Sequence, residues 1–252
     1  MSNLGKIYEK LLYHFGPQKW WPVIEEGNVQ PEYSSGPKNE KQQLEVIFGA
    51  ILTQNTNWKN VEKAIINLNK NKLIDVKKII NIGNKNLAEI IKSSGYHNQK
   101  AKKLKNFCKF LLKCQKSEIS DHDQKSQRFL TNHNGKLKLL FKKNIDGLRK
   151  ELLSINGIGP ETADSIILYS ARKPIFVIDA YTKRIFNRIG YKEKSYEEFQ
   201  KLFMKSLENS EKLFNEYHAL IVELGKNICK KKPLCGMCPI NAYCRYYKKS
   251  SK

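Results

Sequence analysis

No stretch of the 252 residues approaches the roughly 18 consecutive apolar residues of a membrane span, and no charged-then-apolar segment opens the chain. The expectation is a soluble protein of the cytoplasm. Proline is missing between Pro37 and Pro160, so nothing there forbids a run of helices, while Pro17, Pro22, Pro31 and Pro37 crowd into an irregular N-terminal stretch. Strand signals are nearly absent. Only Ile175, Phe176, Val177 and Ile178 read as extended, and their short run beside Pro174 suits a buried connector better. There is no internal repeat, no GxGxxG and no Walker loop. Acidic residues are scarce, 24 against 46 Lys and Arg, and the resulting net charge of +22 makes a polyanion the default partner. Part of that excess reflects an AT-rich coding sequence, since 40 of the 46 basic residues are Lys and Asn is also abundant. Disorder is excluded by a content of 40% hydrophobic and 10% aromatic residues, too much to leave unburied.

What is present is helical spacing. Leu44, Ile47, Phe48, Ile51 and Leu52 fall at i, i+3, i+4, i+7 and i+8; Val61, Ala64, Ile65 and Leu68 repeat the pattern, as do Leu104, Phe107, Leu111 and Leu112. Each set predicts the buried face of an amphipathic helix. Further helices are expected at about 145–153, 161–171, 180–189, 196–208 and 211–226, which makes the fold class all-α. The polar segment 114–138 reads as a surface insertion, and the basic end from Lys248 to Lys252 as a solvated tail.

Six cysteines in such a chain invite a search for metal-site spacing. Cys108 and Cys114 read as ordinary thiols, Cys108 sharing a face with Leu104, Leu111 and Leu112. Cys229, Cys235, Cys238 and Cys244 cluster in the pattern C-x5-C-x2-C-x5-C, four thiolates able to surround one metal centre. On spacing alone, structural zinc and an iron–sulfur cluster are both open. Lys230, Lys231 and Lys232 inside the loop would offset the thiolate charge and could lie against phosphates.

The most telling stretch runs from Leu152 to Arg184. Asn156, Gly157, Ile158, Gly159 and Pro160 make a tight turn between two helices: the glycines permit positive φ and close approach, Ile158 can anchor the turn, and Pro160 suits a first helical position. Such a turn presents free backbone N–H groups at a helix N-terminus, an anion site suited to a phosphodiester, though a plain link between packed helices would look the same. Asp179 follows an apolar run and precedes a basic helix. It reads as an N-cap and equally as a carboxylate held ionised and aimed, and the two roles are compatible.

Gly157-Ile158-Gly159, Thr162-Ala163 and Val177-Ile178-Asp179 together resemble the helix-hairpin-helix and Gly/Pro-Asp signature of the endonuclease III class of DNA glycosylases. The likeness extends to Leu52-Thr53-Gln54-Asn55-Thr56, to Gly95-Tyr96-His97-Asn98-Gln99-Lys100-Ala101 and to the terminal cysteines, failing only in the 114–138 insertion. The resemblance implies two helical lobes with damaged double-stranded DNA bound across their cleft by a monomeric, nucleoid-associated enzyme. A six-helix barrel would span 40–165 and end in the hairpin at 144–171; residues 1–39 with 166–228 would form the second lobe, followed by a cluster loop at 229–244 and a tail at 245–252. It also implies a [4Fe-4S] cofactor on the four cysteines, although the family's usual first gap is six residues and here it is five.

In the bifunctional members of that class a lysine two residues after the second hairpin glycine forms a Schiff base with the sugar; this chain has Glu161 there. The resemblance therefore leaves Asp179 as the catalytic group of a monofunctional glycosylase, in which water attacks the anomeric carbon. Lys183 and Lys226 lie nearby in sequence as possible substitute amines. Trp20-Trp21-Pro22, the Leu-Thr-Gln-Asn-Thr stretch, the Asn-Gln-Lys-Ala stretch and Glu161 resemble the 3-methyladenine glycosylase branch, with Trp20, Trp21 and Glu161 expected around the base pocket. Two indoles would suit a cationic alkylated purine, or else simply pack in the core. Gln54 and Tyr96 fall where relatives place residues that fill the gap left by an extruded base; the plain alternative is helix-end packing. The competing functions are a glycosylase with lyase activity on oxidised pyrimidines or mismatches, and a non-catalytic iron–sulfur DNA-binding protein.

Overall fold

The computed structural model describes residues 3–34, 36–113 and 136–250. Most of the 114–138 insertion, and Cys114 with it, lies outside the described residues. The chain divides into two compact units: Trp21–Ala171, and Met1–Trp20 together with Arg172–Lys252. No described helix is long and apolar enough to cross a membrane.

The Trp21–Ala171 unit is built around the helix Glu40–Leu52. The spacing predicted one buried face there, but Leu44 through Leu52 are buried on every side, so this helix is the unit's axis. Helices Trp58–Lys70, Val76–Asn81, Asn84–Ile90, His97–Lys113, Lys136–Lys142 and Ile145–Leu153 complete the unit with Pro160–Ser165, which widens into a π-helical turn over Ile166–Ser170. Val61, Ala64, Ile65 and Leu68 are buried as their spacing predicts, as are Leu104, Phe107 and Leu111, with Cys108 fully enclosed, whereas Leu112, expected with them, is only half-buried. Several of the abundant asparagines begin these helices: Asn39, Asn57 and Asn144 accept from backbone N–H groups three residues on, at 3.0, 3.1 and 2.8 Å. Each such cap contributes about 1 kcal/mol.

The N-terminal stretch is not wholly irregular. Val23–Ile24 pairs antiparallel with Pro31–Glu32, and the pair is pinned to the axial helix by two buried polar side chains. Glu45 accepts from Ile24 N at 2.9 Å, and Gln42 Nε2 donates to Glu25 Oε2 at 3.1 Å. Burial pushes the Glu45 carboxyl up to about 7.

The second unit packs helices Asn3–Phe15, Ala180–Ile189, Tyr196–Ser206 and Glu211–Asn227 over an aromatic core. Phe176 stacks on Phe203 with ring centroids 4.0 Å apart, and Phe214 and Tyr217 meet Phe176 edge-on. Ile175 to Ile178 form the buried connector expected of them, without strand pairing; Gln200 Nε2 donates to Phe176 O at 2.7 Å.

Candidate functional site

In the first unit the hairpin is bound from three directions. Ile158 is buried and anchors the turn. Gly157 adopts φ +98°, and a Cβ placed there would lie 2.5 Å from Lys103 Cγ, so both left-handed backbone and close approach demand glycine. Gly159 departs from the expectation: its φ is −96°, in extended backbone, and nothing lies within 4 Å of a Cβ there. It is the N-cap of Pro160–Ser165, so its bare N–H face is open rather than strained. Below the turn, Arg149 grips the fully buried Asp164 with Nε to Oδ1 at 2.7 Å and Nη2 to Oδ2 at 3.2 Å, bracing one arm of the hairpin against the other.

Gln54 is committed to this hairpin. Its Nε2 donates to Gly157 O at 3.1 Å and Thr162 Oγ1 at 2.9 Å, while its Oε1 accepts from Lys103 Nζ. Asn106 Nδ2 adds a bond to Asn156 O at 3.1 Å. Entering a DNA stack would cost Gln54 these bonds. Tyr96 is different: it is 67% exposed with φ +46°, a strained backbone for a non-glycine residue, immediately after Gly95 at φ +67°. Asn55, exposed beside Gln54, shares that region at φ +53°.

A buried lysine joins these two segments. Lys100, 2% exposed, donates from Nζ to Leu52 O at 2.8 Å and to Ser94 O at 2.6 Å, tying the end of the axial helix to the turn that carries Tyr96. Burial, helped by repulsion from Lys103, pushes its ammonium down to about 8. Trp21 is 5% exposed, edge-on to Trp58 and Tyr169 at 5.3 and 5.2 Å, with its ring against Gly49. Glu161 is exposed in the first turn after the hairpin.

In the second unit Asp179 is the N-cap of Ala180–Ile189. Its Oδ1 accepts from Thr182 N at 2.7 Å and Thr182 Oγ1 at 2.8 Å. Its Oδ2 lies 3.8 Å from Nε2 of His218, a residue the sequence did not single out. Burial lowers the imidazole below its ordinary value and Asp179 opposes the shift. Lys183 Nζ sits over the Tyr196 ring, Lys226 is exposed, and Trp20 is half-buried.

The same helix holds the cysteine loop. Arg184 donates to Cys229 O at 3.0 Å and Gly225 O at 2.8 Å; Arg188 Nη1 donates to Cys229 Sγ at 3.2 Å and Lys230 O at 2.7 Å, with Tyr246 over its guanidinium. Burial, with the neighbouring cysteines, pushes Cys238 up to about 11 and raises Cys235. Among the described residues, no three His, Cys, Asp or Glu side chains gather closely enough to hold a single metal ion. Lys230, Lys231 and Lys232 are exposed.

Residues 48–209 match the HhH-GPD superfamily of base excision DNA repair proteins. A protein of Methanocaldococcus jannaschii, provisionally named a DNA repair glycosylase, is 42% identical over 241 residues, covering 95% of this chain and 94% of its own. Endonuclease III of Thermotoga maritima is 26% identical, covering 86% of this chain and 90% of its own. Among solved structures, the H. pylori 3-methyladenine DNA glycosylase bound to 1,N6-ethenoadenine superposes with a TM-score of 0.64 at 27% identity, covering 88% of this chain and 95% of its own. An endonuclease III–DNA complex reaches a TM-score of 0.71 at 19% identity, covering 100% and 99%, which speaks to the fold alone.

Proposed function

The chain belongs to the HhH-GPD superfamily of base excision DNA repair proteins, with the all-α, two-lobed fold of its glycosylases, and from that membership we propose a monofunctional DNA N-glycosylase that removes alkylated purines such as 3-methyladenine from double-stranded DNA. The observation that carries the monofunctional reading is Glu161. It stands in the hairpin's second helix where the bifunctional enzymes have their amine, and a carboxylate cannot form a Schiff base. Similarity to the H. pylori enzyme supports the alkylpurine.

The hairpin's open N–H groups at Gly159 and the exposed Lys230, Lys231 and Lys232 take the phosphate backbone, independent of sequence. Tyr96, exposed on a strained turn, fills the gap of the extruded nucleotide, while Gln54 braces the turn beside it. The likeness to the 3-methyladenine glycosylase branch assigns Trp20, Trp21 and Glu161 to the base pocket; within its own unit Trp21 is held edge-on by Trp58 and Tyr169. Asp179, fixed by Thr182, stabilises the cationic sugar as the C1′–N bond breaks. The bond's electrons leave with the purine. N-alkylation has already made that base a good leaving group that departs neutral without being protonated by an acid; water then adds to C1′ and its proton passes to solvent.

The cysteine loop fits a [4Fe-4S] cluster held by Cys229, Cys235, Cys238 and Cys244. Spacing alone suits zinc as well, and it is the likeness to the endonuclease III class that favours the cluster. When bound, the cluster would cross-link the loop and fix its lysines. The protein acts as a monomer on this reading.

The test is single-turnover excision from duplexes carrying alkylated, oxidised, deaminated or mismatched bases, with borohydride present in parallel. Excision of 3-methyladenine leaving an intact abasic strand, with no trapped adduct, is expected. Efficient trapping would overturn the monofunctional reading and direct attention to Lys183 or Lys226.

A further inference from the structure

His218 stands against the one carboxylate oxygen of Asp179 that the helix cap does not use. Oδ1 takes both bonds from Thr182, and Oδ2 faces His218 Nε2 at 3.8 Å, with the His218 and Asp179 side chains only 10% and 12% exposed. That separation is longer than a hydrogen bond but within ion-pair range, so the imidazole and the carboxylate face each other closely. We propose that His218 is a positioning residue for Asp179: a neutral imidazole that stops the carboxylate from turning about its cap and leaves its charge uncancelled for the sugar. This rests on the reading of Asp179 as the catalytic group.

The surroundings favour that state of the imidazole. Charged groups on its own helix and on the helix Ala180–Ile189 packed against it are engaged elsewhere: Arg184 with the Gly225 and Cys229 carbonyls, Arg188 with Cys229 and Lys230, Glu216 with the Gln18 and Lys19 backbone, Glu223 with Asn227, Lys183 over Tyr196. The packed N-terminal helix turns Lys6, Glu9 and Lys10 to solvent and sets Tyr8 against Tyr217. Burial keeps the imidazole neutral at pH 7, opposed by Asp179. Acid would produce an imidazolium that pairs with Oδ2 and withdraws its charge from the reaction.

Two measurements test this on the full-length protein. Single-turnover excision by the wild type should fall as pH drops through and below the histidine range. His218→Gln should lower the neutral-pH rate about ten- to a hundredfold and remove that acid limb, with duplex affinity unchanged. A merely structural histidine would lower activity in proportion to stability and leave the limb where it was; an unmoved limb overturns the inference alone. In the second, the His218 imidazole resonance, assigned with His218→Gln, should titrate at still lower pH in Asp179→Asn, because the opposing charge is gone. An unchanged titration shows no contact and also overturns it. Failure to excise from any duplex would remove the glycosylase reading itself, a result distinguishable from a glycosylase whose acid limb ignores residue 218.

Discussion

Replacing Asp179 separates two roles that coincide on one side chain. As a cap it supplies Oδ1 to Thr182 N and Oγ1 at 2.7 and 2.8 Å. Asparagine keeps that carbonyl oxygen and caps nearly as well as aspartate, so Asp179→Asn forfeits mainly the charge at the helix N-terminus, about 0.3–1 kcal/mol. For a chain of this size that is a fall in Tm of no more than about 4 °C. Asp179→Ala loses the cap as well, roughly 1–2 kcal/mol more. The chemistry ranks the variants differently. Removing a preorganised group aimed at transition-state charge costs about 2.7–4 kcal/mol, or about a hundred- to a thousandfold in rate, and both variants lose it. Single-turnover excision alongside calorimetry should therefore show Asp179→Asn near wild type in stability and down at least about a hundredfold in rate. Its duplex affinity at fixed salt should be intact or tighter, since a charge that repels phosphate is gone. Normal excision by Asp179→Asn, with losses in Asp179→Ala that merely track stability, would refute the catalytic role and leave Asp179 a cap.

Gly157→Ala should cost about 1–3 kcal/mol through its positive φ and the clash with Lys103, whereas Gly159→Ala should leave Tm unchanged yet weaken binding to damaged and undamaged duplexes alike; calorimetry and anisotropy decide. Lys100→Met should destabilise by about 1–3 kcal/mol at pH 7 by stripping the Leu52 and Ser94 carbonyls of their donor. Between pH 8 and 10.5 the unfolded chain holds a proton at Lys100 that the folded chain has lost, so urea unfolding should show the wild type gaining stability relative to Lys100→Met as pH rises through that window; no gain would contradict the buried ammonium. Protein purified without oxygen should be brown, absorbing near about 400 nm, and a colourless protein with one zinc would refute the cluster.

The helices, the hairpin and the cap at Asp179 were legible because their signals are local: apolar spacing, paired glycines before a proline, an aspartate before a basic helix. The helix Glu40–Leu52 is buried more widely than its apolar spacing indicates. Periodicity finds the face with the densest apolar set, while Val46, Gly49 and Ala50 on its other sides are also buried, which only the neighbouring elements decide. Glu45 inside that run is itself a sign of a buried carboxyl. The Val23–Ile24 pairing is too short to leave a pattern.

What the sequence could not reveal is the set of polar bonds that link distant segments. Gln54 with Gly157, Lys100 with Leu52, and Asp179 with His218 are separated by dozens of residues and share no spacing rule. Lys100 stands at i to Leu104, Phe107 and Leu111 at i+4, i+7 and i+11, so spacing alone puts it on the buried face, but only its two carbonyl partners show what it does there. Burying an ammonium or a carboxylate is costly unless its partners are placed accurately. In each unit such groups hold a segment assigned to DNA or the sugar: Lys100 and Lys103 beside the hairpin and Tyr96, Thr182 and His218 beside Asp179. A site that must act on developing charge gains from donors and acceptors fixed in advance, because rearranging them during the reaction would consume the stabilisation they provide. Buried Gln42 and Glu45 pin the fold, whereas on the proposed function buried Lys100, Thr182 and His218 serve that requirement. Replacing them with apolar residues of similar volume could leave the units folded while loosening the atoms on which excision depends.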